Sequence, residues 1–167
     1  MVIIDLLLPE FDRETGTTRR LLERVPATAF AFKPHDKSMT LGRLASHVAD
    51  LPTWVVNVME RDSFDLTGRS DSQTRQAAST NALVAIFDEN VTAARVLLVD
   101  AIDGALTVPW TLKKGNQDLF TLPKIAMLRY FVLNHLVHHR GQLSVYLRLQ
   151  DVPLPAIYGP SADEGSF

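Results

Sequence analysis

The sequence predicts an all-α domain, a four-helix bundle with long crossover connections. Two observations carry this. Four stretches place apolar residues at three- and four-residue spacing, the mark of a helix with one buried face. Each stretch is long enough to run the length of a small domain, and a 167-residue chain accommodates four of them around one core. A third observation qualifies the class. One segment before the last helix has β-like composition and is expected to form a short arm or small hairpin.

The first helix is expected from about Leu6 to Val25, with Leu7, Phe11, Leu21, Leu22 and Val25 inward. Gly16 and nearby threonines weaken it, and Pro26 ends it. Ser38 or Thr40 offers an N-cap for the second helix, expected from Leu41 to about Glu60. Its stripe is Leu44, Val48, Leu51, Val55 and Val58, and Pro52 inside it is expected to cause a kink. The connection DSFDLTGRSDSQTRQ is longer than a helix–helix link requires and reads as a crossover or lid. The third helix is expected over about 80–102, stopped by Asp103-Gly104. ALTVPWTLKKGNQDLFT then forms the β-like arm, turning at Lys114-Gly115-Asn116. The fourth helix is expected from Thr121, as N-cap, to about Leu149, followed by an extended Pro-rich tail from about residue 150. No linker or repeat divides residues 1–167, so one domain is expected.

Composition narrows the function. There is no cysteine, which excludes disulfides, thiolate-ligated metal sites and cysteine nucleophiles. Seventeen Lys and Arg against 19 Asp and Glu leave no net basic charge for a nucleic-acid backbone. The apolar opening MVIIDLLLPEF lacks a basic leader region, and no run reaches the ~18 apolar residues of a membrane span. A cytoplasmic protein without nucleic-acid or membrane partners is expected.

The chemistry lies in NHLVHHRGQLSVYLR, which holds three of the five histidines. On a helical projection His135 and His139 fall on the inward stripe, one turn apart, and His138 falls about 100° off it. An i, i+4 pair of imidazoles can reach one ion. His47 lies at the edge of the second helix's stripe, so a divalent metal held by His47, His135 and His139 is expected if the two helices are neighbours. A buried histidine is more often a hydrogen-bonded core residue, and a metal-free core is the competing expectation. Asp50, three residues after His47, is expected as an acceptor for the N–H of a ligating histidine or as a general base, or as a solvated helix residue. Arg140 and Gln142 project to opposite sides of His139, and Arg140 reads as structural. Trp54 and Tyr146 read as core before they read as pocket walls.

SMTLGRLASHVADLPTW and NHLVHHRGQLSVYLRLQDVPLPAIYGPSADE carry a resemblance to the DinB/YfiT-like family, over nearly the whole chain. The resemblance implies a four-helix bundle, often a homodimer, with a divalent metal held by three histidines that map to His47, His135 and His139. It does not imply DNA binding, although the family is named for DNA-damage-inducible expression. It implies activity on a small-molecule substrate, as a thiol S-transferase with a low-molecular-weight thiol, a thiol-dependent isomerase or a metal-dependent hydrolase. Zinc and nickel are the expected ions. A non-catalytic metal-binding or dimerisation module is the alternative.

Overall fold

The computed structural model describes residues 2–68 and 75–165. Residues 69–74, the middle of the expected crossover or lid, lie outside the described residues, as do Met1 and the last two positions.

The chain begins with α1 (Ile3–Leu22), whose buried face includes Leu7, Phe11, Leu21 and Leu22. After a single 3-10 turn at Ala27–Ala29 comes α2 (Leu41–Asp50). Of the two candidate caps, Thr40 is the one used: its side chain accepts the Arg43 amide at 3.2 Å. Pro52 does more than kink the second helix. It divides it into α2 and α3 (Thr53–Glu60), because proline lacks the amide that would continue the ladder. The Ala49 carbonyl beside the break accepts the Asn90 side-chain amide at 2.9 Å. The long third helix is α4 (Thr80–Val99), capped by Ser79, which accepts the Ala82 amide at 3.1 Å. Asp103-Gly104, expected to stop it, instead opens a short α5 (Asp103–Thr107), where an acidic residue in the first turn suits the helix dipole.

The all-α expectation needs correcting. The fold is mostly helical but contains a three-stranded sheet: β1 (Ser63–Asp65), β2 (Pro109–Lys114) and β3 (Gln117–Pro123), in that order. β2 and β3 form an antiparallel hairpin that turns at Gly115, whose φ of 60° suits a residue without Cβ. β1 comes from the connection after α3 and pairs parallel to β2 (Ser63 opposite Thr111). Trp110 and Leu112 point from β2 into the helices; Trp110 is fully buried and donates its ring N–H to the Asn57 carbonyl at 3.3 Å. Thr121 is therefore a strand residue and not a helix cap. Its hydroxyl meets that of Thr111 across the hairpin at 2.8 Å.

The fourth helical stretch starts three residues later than expected, as α6 (Lys124–Met127). It passes through a π-helical segment at Leu128–Asn134 and continues as α7 (His135–Arg148). α4 packs against α1, α2 and α3, and α7 packs against α2 and α1. Two apolar clusters result. One joins the end of α1, α2, the start of α4 and α7 through Leu21, Leu44, Val48, Phe87, Leu136 and Leu143. The other joins the start of α1, α3, the end of α4, the sheet and the π segment through Phe11, Val55, Leu98, Trp110 and Val132. Over its described residues the tail has no helix or strand, yet it is docked. Arg20 and Arg24 on and after α1 hold the Ala156 and Pro153 carbonyls at 2.9 and 2.8 Å, and both pair with Glu164. Among the described residues no helix is long and apolar enough to cross a membrane.

Candidate metal centre

The packing of α2 on α7 brings His47 to His135 and His139. His135 is the first residue of α7, directly after the π segment, and His139 follows one turn later on the same face. His47 sits in the last turn of α2. The His47 ring meets the other two edge-on, those two are tilted on each other, and the centroids are 4.5 to 5.2 Å apart. The Nε2 of His135 lies 2.8 Å from the Nε2 of His139 and 3.4 Å from the Nε2 of His47. One ring nitrogen from each of the three lies within 4.8 Å of the others, an arrangement that can hold a metal ion. Among the described residues no further His, Cys, Asp or Glu donor joins that group.

The separations fit the group. Two imidazole nitrogens each about 2.1 Å from one ion, at a tetrahedral angle, lie about 3.4 Å apart, and closer at smaller angles. The proton placement also fits. His139 Nδ1 is 2.7 Å from the side-chain oxygen of Gln142, one turn further along α7. That oxygen can only accept, so Nδ1 carries the proton and Nε2 carries a lone pair. His135 presents its own Nε2 to His139 at 2.8 Å, where the His139 lone pair can accept the His135 proton or, with that proton on Nδ1, the two nitrogens can share a cation.

A proton is a poor candidate for that cation near neutral pH. Burial, and after it the neighbouring His139, pushes His135 down to about 4, against the Phe131 bond that favours its charged form. Burial also lowers His139, opposed by the Gln142 bond. Both rings are neutral at neutral pH, the state that ligates a metal.

The other sequence candidates fall elsewhere. His138 is exposed, and its ring touches His139 at 4.8 Å between centroids without joining the convergent nitrogens. Asp50, the last residue of α2, is half-buried and lies outside the group; its carbonyl accepts the Thr53 hydroxyl at 2.7 Å. Trp54 stacks with Phe64 and Phe131 at 5.0 and 5.8 Å, and Phe131 with Phe120 at 5.4 Å, so an aromatic row leads to the turn that carries His135. Tyr146 packs away from that row, against Phe32, and donates to the Met39 carbonyl at 3.3 Å. Arg140 is buried in an ion pair with Glu14 at 2.6 Å. The contact that sequence reasoning missed is that of Gln142, and the i, i+3 spacing of His139 and Gln142 is the one signal that pointed to it.

Comparison with known proteins bears on the fold and the family. The chain is similar to protein YrdA, uncharacterized, of Bacillus subtilis (strain 168): 24% identical over 164 residues, 96% of this chain and 91% of that one. A crystal structure of a DinB-like protein from Bacillus cereus ATCC 10987 shares the fold with a TM-score of 0.72 at 22% identity, over 94% of this chain and 98% of that one. The DinB-like protein YjoA of Bacillus subtilis gives 0.69 at 21% identity, over 92% and 99%. The model of the DinB family matches residues 2–166. With that match spanning nearly every residue, the chain belongs to the DinB family.

Proposed function

We propose that the protein is a divalent-metal-dependent enzyme acting on a small molecule, with His47, His135 and His139 as the metal ligands. The carrying observation is the convergence of one ring nitrogen from each of the three, all within 4.8 Å of one another. Zinc and nickel both suit an all-imidazole site. A bound divalent ion supplies Lewis acidity there, lowering the pKa of a water or thiol and favouring its anionic form.

The residues of this chain supply the rest. Imidazole ligands bring no negative charge to offset the ion, so an anionic thiolate or hydroxide is the preferred further ligand. Three protein donors, with no fourth His, Cys, Asp or Glu among the described residues, match the donor count of a catalytic centre; a structural site closes with a fourth donor. Asp50, on the same helix as His47, is the nearest carboxylate in sequence to act on a proton. Thiol S-transfer with a low-molecular-weight thiol and metal-dependent hydrolysis are the two reaction types this arrangement supports.

The test is a substrate panel for both types, run on protein purified without a polyhistidine tag, before and after metal removal. Activity should disappear with the metal and return with zinc or nickel. Full activity in metal-free protein would contradict the reading.

A further inference from the structure

We propose that Gln142 is a positioning residue of the metal centre: its side-chain oxygen accepts the Nδ1 proton of His139 and so commits the Nε2 of that ring to the ion. The proposal rests on the metal reading above and adds a residue to it.

The geometry carries it in two steps. First, the contact is short, 2.7 Å, and runs from the far side of the ring to Nε2. A neutral imidazole has one N–H, so the acceptor at Nδ1 decides which nitrogen is left to ligate. Second, Gln142 is exposed on the surface of α7, and packing does not explain its position.

The opposite arrangement is physically definable. Were the Gln142 amide turned to donate its NH₂ to Nδ1, His139 would carry its proton on Nε2. It would then donate to the His135 Nε2 across the 2.8 Å gap, and the site would be closed to a metal.

Nitrogen-15 NMR of the metal-free protein separates the two. The expected result is His139 as the Nδ1–H tautomer, with that tautomer depleted in Gln142→Ala; an Nε2–H tautomer in the unaltered protein would overturn the proposal. Cobalt(II) affinity gives the second readout. Gln142→Ala should bind about tenfold more weakly, at the lower end of the range for such outer partners because the residue is exposed. Gln142→Glu, whose carboxylate accepts the same proton, should restore affinity, and the thermal midpoints of both metal-free variants should match the unaltered protein. Undiminished affinity in Gln142→Ala, beside saturable uptake by the unaltered protein, would overturn the positioning role alone. Absence of uptake by the unaltered protein would bring down the metal reading, and this role with it.

Discussion

His139 and Arg140 are adjacent on α7, and each anchors a cluster of polar groups in the interior. The two clusters are opposite in character. Arg140, 1% exposed, is saturated. It pairs with the Glu14 carboxylate at 2.6 Å and donates to the Glu14 carbonyl at 3.1 Å and the Thr18 hydroxyl at 3.3 Å. It also donates to the Tyr158 hydroxyl at 2.7 Å and lies over that ring at 5.0 Å. Tyr158 completes the circuit by donating to Glu14 at 2.9 Å. Charge is balanced and donors meet acceptors, so this cluster has nothing left to offer a ligand. It ties α1, α7 and the tail together. The histidine cluster is the reverse: three rings each bring one nitrogen to within 4.8 Å of the others, and among the described residues no further His, Cys, Asp or Glu donor joins them. Burial alone does not identify a functional site; unspent coordination capacity does.

The largest expected effect breaks the saturated cluster. Arg140→Ala leaves the Glu14 carboxylate buried without its partner and should cost about 3–5 kcal/mol of stability, read from the denaturant midpoint. The corresponding cut in the other cluster should leave stability nearly unchanged and affect binding. His47→Ala in metal-free protein should shift stability by about 1 kcal/mol or less. Its loss of metal affinity, measured by competition with a chelator, should exceed the ~10–100-fold that an outer partner is worth.

The clusters should also part in their response to pH. Burial depresses His135, to about 4, and His139 below their ordinary 6.5. Between those values the unfolded chain binds protons that the folded protein does not, so stability rises with pH across that window and is lost as pH falls through it. The denaturant midpoint of metal-free protein should therefore drop from about pH 6.5 toward pH 4, with a shallower slope in His135→Ala. An equal slope in that variant would place the titration elsewhere. The smallest effect is at the rim of the saturated cluster. Tyr158→Phe removes one hydroxyl from a side chain 61% exposed overall and should cost about 1 kcal/mol by thermal melting.

The sequence disclosed what is periodic and local. The His135 and His139 pair was legible because one turn of helix brings i and i+4 together, and His138 was set aside by the same projection. His47 was legible because it edges an apolar stripe that must be buried against something. Arg140 was read as structural, but its partners Glu14 and Tyr158 lie more than 120 residues upstream and 18 downstream, and no local pattern connects them. The sheet was half legible. β2 and β3 carried hairpin composition around Gly115, whereas β1 is three residues long and is defined by a parallel partner nearly fifty positions away. Thr121 misled because a β-branched hydroxyl residue before Pro123 suits a strand end as well as a helix cap. The π segment left no trace in LRYFVLN, whose apolar spacing is also that of an ordinary helix. Yet that segment sets the turn on which His135 is presented.

The central claim is that the histidine cluster is built to receive a metal ion. The most direct measurement is a cobalt(II) titration of untagged, metal-stripped protein, followed by visible absorption. Saturable, stoichiometric uptake is expected, with ligand-field bands of nitrogen coordination, displaced by zinc and absent in His47→Ala. Uptake that never saturates, or that persists unchanged in His47→Ala, would contradict it.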